Sequence, residues 1–266
     1  MSDEQLTAMK VDCSFLGEPQ LKSDGTMTFE YFLDSQKIIL RYVHQHTKEE
    51  LQKRSDARRE IMKNESQSDG YETKFAKAVT ECSNFEAGCL QVACAHFYQH
   101  VKIDKAVYDK SSNLYMMDPE KRTKYEEEAA LIKESGREEI FTELDKETLI
   151  KGLSKLEEAK FDAQRTMYDM VRSGRQMKPE MINNIIKLEE IKAHDKFFLE
   201  MGFEDEDLEL NIKRLNLKED PDILELYATW TKKSADWLKA KTDETKAHAE
   251  KMREFKAAQE LKKAEE

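Results

Sequence analysis

Apolar residues along this chain recur mostly three, four or seven positions apart, with charged residues filling the intervals. That is the repeat of a helix burying one stripe. A first short stretch carries Leu6, Met9, Cys13 and Leu16, and a turn-rich segment from Gly17-Glu18-Pro19 to Ser23-Asp24-Gly25 follows it. From Thr28 the pattern predicts a long helix through Phe32, Ile39, Tyr42, Val43, Leu51 and Ile61. The polar run from Asn64 to Gly70 predicts a connection to the next helix. That helix has the most continuous stripe of the chain: Phe75, Val79, Cys82, Phe85, Cys89, Val92 and His96, at spacings of 4, 3, 3, 4, 3 and 4. It is the expected central core helix, with the stretch around Tyr108 and Tyr115 packed on it. Asp118-Pro119-Glu120 predicts another start, because Asp caps free N–H groups and Pro is tolerated at the first helical position. Gly136 marks a break.

From Asp145 the repeat becomes coiled-coil-like, through Leu149, Leu153, Leu156, Ala163, Met167 and Met170. Ser173-Gly174 predicts its end, and Lys178-Pro179-Glu180 a new helix carrying Ile182, Ile185, Ile186 and Ile191. Gly202 interrupts, Leu208 to Leu215 gives a short helix, and Asp220-Pro221 opens the last one. That last helix begins with Ile223, Tyr227, Trp230, Trp237 and Leu238, then turns Lys/Glu/Ala-rich, with Met252 and Phe255 as its later anchors. Such a tail lies along another surface or projects as a charged helix. The expected fold is all-α: a compact helical region over residues 1–135, then long, partly coiled-coil-like helices over an elongated region, residues 140–266.

Composition supports helices over sheets. Only 8 Gly and 4 Pro stand among 266 residues, few for an architecture that needs a turn every several residues. Charged residues make up 37% and hydrophobic ones 39%, the balance of a narrow buried stripe and a wide solvated face. The formal net charge of −11 disfavours nucleic acid and anionic membrane surfaces as partners. No apolar run is long enough to span a bilayer, and the start lacks a secretory pattern. A cytoplasmic location with four reduced cysteines, Cys13, Cys82, Cys89 and Cys94, is therefore expected.

Candidate chemistry is sparse. No glycine-rich phosphate loop, Gly-x-Ser-x-Gly, His-Glu-x-x-His or Cys-x-x-Cys occurs. Cys82, Cys89, Cys94, His96 and His100 all fall in one predicted helix. Zinc needs four ligands converging at about 2.0–2.3 Å, whereas Cys89 and His96 stand about 10 Å apart along the axis. Cys82 and Cys89 read instead as small buried hydrophobes. No cofactor, metal or catalytic residue is expected.

The most specific string is Ser23-Asp24-Gly25-Thr26-Met27-Thr28-Phe29-Glu30-Tyr31-Phe32-Leu33. It resembles the second half of an EF-hand calcium loop and the start of its exiting helix. In that family a glycine makes the sharp turn at the sixth position, an aliphatic residue at the eighth pairs with a sister loop, and a carboxylate at the twelfth chelates the ion. Aligned on Gly25, the fifth position is Asp24 and the eighth Met27, but the first, third and twelfth are Gln20, Lys22 and Tyr31. The resemblance implies a degenerate hand that has lost its calcium ligands.

The function expected from these features is non-enzymatic: a structural or scaffold protein binding partner helices, of another protein or of a second copy. Leu149, Leu153 and Leu156, with Tyr227, Trp230 and Trp237, are the expected docking residues. A cytoskeletal, axonemal or cilium-associated assembly is the expected setting. The alternatives are a calcium-regulated EF-hand-type adaptor and, third, an enzyme on a helical scaffold, for which polar groups should converge around Cys89, His96 and His100.

Overall fold

The structure, a computed structural model, describes residues 3–137, 141–172 and 178–265. Side chains are described from Met9 to Lys251 within those spans, apart from residues 136, 137, 171, 179, 248 and 249. The expected anchors Leu6, Met252 and Phe255 and the expected break at Ser173-Gly174 lie outside them. The protein is all-α, with nine helices among the described residues: α1 (Asp3–Leu16), α2 (Phe29–Glu65), α3 (Tyr71–Val101), α4 (Lys105–Met117), α5 (Pro119–Arg137), α6 (Lys146–Arg172), α7 (Pro179–Met201), α8 (Glu206–Arg214) and α9 (Pro221–Glu265). The chain divides into two compact units, Met1–Thr142 and Glu143–Glu266.

Local chemistry sets the helix ends. The Thr28 hydroxyl accepts from the Tyr31 N–H at 3.4 Å to cap α2, and Asp104 accepts from the Ala106 N–H at 2.7 Å to cap α4. Asp118 accepts from the Glu120 N–H at 3.1 Å, with Pro119 in the first position of α5, where its missing N–H costs nothing. Gly202 closes α7 in the left-handed region (φ 79°), its N–H reaching the Phe198 carbonyl at 2.8 Å. Gly136, an expected break, sits in the last turn of α5.

In the first unit, α2 and α3 form an antiparallel hairpin, with the Arg54 guanidinium 4.6 Å from the Phe85 ring. Helix α1 packs on both of them, and α5 runs along α2, where Lys37 meets Glu128 at 3.1 Å. The core gathers Met9, Met27, Phe32, Ile39, Phe97 and Tyr115, all fully buried. On α3 the buried residues are Phe75, Val79, Ala93, Phe97 and Val101. Val92 is exposed, and Cys82, Phe85, Cys89 and His96 are only half-buried. The expected stripe averaged 3.5 residues per turn, whereas a straight helix turns every 3.6 and drifts about 20° per heptad. By its C-terminal end the inward face has moved one residue on, from Val92 and His96 to Ala93 and Phe97.

The second unit is built around α6. Helix α7 runs antiparallel to it through an alanine contact of Ala159 and Ala163 with Ala193, flanked by Lys196–Asp162 at 3.4 Å and Lys155–Glu200 at 3.7 Å. Helix α9 runs parallel to α6: Lys146 bridges Asp220 at 2.7 Å and Asp222 at 2.9 Å, and Arg172 meets Glu244 at 3.7 Å. Helix α8 is pinned beneath, since the Leu144 N–H donates to the buried Asn211 side chain at 2.8 Å.

Gly152 lies where α6 meets this layer. A Cβ there would stand 2.8 Å from Leu208 Cδ2 and 3.1 Å from the Phe203 ring. Alanine would gain helix propensity of about 1 kcal/mol but push on a fully buried leucine. Gly152→Val, with a branched side chain at the same spot, is expected to destabilise the unit by about 2–3 kcal/mol. Urea titration followed by tryptophan fluorescence checks it, since both tryptophans lie in this unit.

Candidate interaction surface and the α1–α2 loop

The loop between α1 and α2 is closed by its own backbone. Leu21 and Met27 form an antiparallel bridge, the Thr28 N–H donates to the Gln20 carbonyl at 2.8 Å, and Gly25 turns the chain at φ 77°. A residue with a Cβ is strained in that region, so the glycine has a local reason to stand there. Of the expected loop positions, Lys22, Asp24 and Tyr31 each turn to a different partner. Gln20 is exposed. The Lys22 ammonium sits 4.9 Å from the Tyr115 ring centroid. The Asp24 carboxylate accepts from Thr26 twice, from its hydroxyl at 2.6 Å and its N–H at 2.9 Å, and these bonds lower its pKa. Tyr31 is buried, its hydroxyl donating to the Gly17 carbonyl at 3.2 Å, and burial pushes it up to about 12.

Met27, at the position that pairs with a sister loop in the family this string resembles, is held by α4. Its N–H donates to Ser111 Oγ at 2.9 Å, and the Tyr115 hydroxyl donates to its carbonyl. Two side chains one turn apart satisfy the donor and acceptor that a neighbouring strand would otherwise meet. Lys110 adds a bond to the Asp24 carbonyl at 2.6 Å. These partners stand more than eighty residues from the loop, and no local pattern announces them.

The cysteines and histidines of α3 stay spread along the helix. Cys94 is raised by burial, with Tyr98 as its hydrogen-bond partner, and His100 is lowered by burial and by the nearby His96 and Lys10. Cys13, buried in α1, is pushed up to about 11 by desolvation and the Asp12 charge beside it. A raised thiol pKa means less thiolate and a poorer nucleophile at neutral pH. Among the described residues, the one group of three acidic, His or Cys side chains close enough to share an ion is Glu204, Asp205 and Glu206. Asp205 there also meets His194 Nδ1 at 2.9 Å, which raises the pKa of that histidine.

No family model, curated protein or solved structure matches the chain. Among the described residues no helix is long and apolar enough to cross a membrane.

The residues expected to dock partners divide in two. Leu149, Leu153 and Leu156 are 0%, 3% and 7% exposed and pack with Phe197, Phe203, Leu208 and Ile223. They form the core of their own unit, which corrects their reading as a docking face: their partner helices are α7, α8 and α9 of the same chain. Trp230 and Trp237 are half-buried against α6, where Phe161 lies 6.1 and 5.9 Å from their rings and Tyr168 lies 5.2 Å from Trp237. Lys233 closes this seam 3.9 Å over Trp230. Tyr227 keeps an exposed ring. With Leu224 and Leu238, both also exposed, it forms a line down the outer side of α9, within an arc of about 60°. Phe161 and Tyr168 were not anticipated as part of this surface. Their seven-residue spacing, matched by Trp230 and Trp237, was the available signal.

Proposed function

We propose that the chain is a non-enzymatic helical scaffold protein whose α9 presents an apolar line to a partner helix. The observation that supports this is the exposure of Leu224, Tyr227 and Leu238, at 49%, 39% and 44%, beside a flank already zipped to α6. A rigid, seam-anchored helix offers a partner side chains whose ordering cost is largely met. The net charge of −11 and the helical architecture suit an assembly of the cytoskeletal or axonemal kind in the cytoplasm, with another protein or a second copy as the partner. The loop resembling an EF-hand enters this reading as architecture. Its Met27 ties the α1–α2 loop to α4, and its missing carboxylates leave calcium without its usual ligands.

The test uses the full chain and a variant carrying Leu224→Asp, Tyr227→Asp and Leu238→Asp. Sedimentation velocity reads self-association, and pelleting with preassembled microtubules and actin filaments reads the cytoskeletal partner. The variant is expected to keep its thermal midpoint and to bind at least about tenfold more weakly. Equal behaviour of the two proteins in every assay would remove α9 as the docking element. Running both with about 1 mM Ca²⁺ and with EGTA separates the adaptor reading, which requires a calcium-dependent change.

A further inference from the structure

Four of the six histidines lie on the α2/α3 hairpin: His44, His46, His96 and His100. The Nε2 atoms of His44 and His100 are buried and have no hydrogen-bond partner. A neutral imidazole tolerates this with its bare lone pair inward, because an orphaned acceptor costs less than an orphaned charge. Protonation would add both an N–H with nothing to receive it and a positive charge.

The neighbours make that charge worse. For His100 they are His96, one turn earlier on α3, and Lys10 on α1. Asp104, the nearest carboxylate in the chain beyond His100, is turned to the Ala106 N–H as the cap of α4. For His44 they are Lys48 on its own helix and Lys133 on α5. His46 packs edge-on to Tyr42 at 4.3 Å, and the Tyr42 hydroxyl is itself buried without a partner. Lysines of α1 and α5 thus add positive charge near histidines of the hairpin.

Helix α1 is short and has few anchors to set against such repulsion. It is 14 residues long, and its described grip on the core is Met9 and Cys13, both buried, with Leu16 partly buried beside them. Lys10 stands between Met9 and Cys13. We propose that α1 is an acid-released strap: protonation of His100 against Lys10 lifts α1 from the groove between α2 and α3 and uncovers the apolar surface beneath Met9 and Cys13. The C-terminal dipole of α3 favours a charged His100, but burial, His96 and Lys10 outweigh it, since its pKa lies below the usual 6.5. A depressed histidine contributes docking stability at neutral pH. That stability is lost as pH falls below 6.5, because the detached state then binds more protons.

Hydrogen–deuterium exchange of the full chain, expressed as protection factors at about pH 7.2 and pH 5.2, reads the strap directly. Peptides covering residues 9–16 are expected to lose protection about tenfold at the lower pH, while those of α2 and α3 hold theirs. His100→Gln, neutral at both pH values, is expected to abolish the loss. Lys10 is exposed, so Lys10→Met leaves the core intact and is expected to shrink the loss at least about threefold. Unchanged wild-type protection overturns the proposal, as does an equal loss in Lys10→Met or in a folded His100→Gln. A loss spread evenly over α1 to α5 is acid unfolding of the whole unit and overturns it too.

Discussion

Leu149→Ala is expected to lower the unfolding free energy of the second unit by about 3–4 kcal/mol. The side chain is fully buried among Leu153, Phe197, Leu208 and Ile223. Alanine removes the methyl groups and leaves a cavity, and the cost depends on how far the surroundings collapse into it. Collapse is limited here on two sides. Asn211 holds α8 to Leu144, and Lys146 ties the start of α9 to α6 through Asp220. Leu224→Ala, at a side chain about half exposed, is expected to cost no more than about 0.5 kcal/mol. Urea titrations followed by tryptophan emission measure both. A loss at Leu149 below about 1 kcal/mol would return that face to the role of an external docking surface.

That contrast marks where the sequence stops being informative. A heptad run such as Leu149, Leu153, Leu156 reports that a helix buries a stripe, because burial sets the period. It carries nothing about whether the covering helix belongs to the same chain. The all-α class and most helix starts were legible because their causes are local: an Asp or Thr oxygen for a free N–H, a proline at the first position, a glycine at positive φ. The inward face of α3 was not, because a stripe chosen on heptad spacing drifts from a straight helix over three repeats. Trp230 and Trp237 could be placed on one face of α9 from their spacing alone. Their division into a buried seam and the exposed line beside it depends on Phe161 and Tyr168, which lie about seventy residues earlier.

Tyr115→Ala is expected to destabilise the first unit by about 4 kcal/mol, and Tyr115→Phe by about 1–2 kcal/mol. The ring is fully buried between Phe29 at 5.1 Å and Phe32 at 5.3 Å, with the ammonium groups of Lys22 and Lys121 at 4.9 and 5.4 Å from its centroid. Alanine removes all of this, and the small residue leaves a void that three packed elements cannot close. Phenylalanine keeps the ring and removes only the hydroxyl that donates to the Met27 carbonyl. The carbonyl is then buried without that partner, so the cost exceeds that of a solvent-exposed bond. Far-UV circular dichroism during urea unfolding gives both values. The α1–α2 loop and α4 are joined at Met27 by two side-chain bonds, and Ser111→Ala removes the other one. In a Tyr115→Phe/Ser111→Ala cycle the two losses should couple by about 0.5 kcal/mol or more, since both act on one peptide segment. Additive losses would mean that Met27 is held by apolar packing alone, and that the loop keeps its place on α4 without the polar pairing.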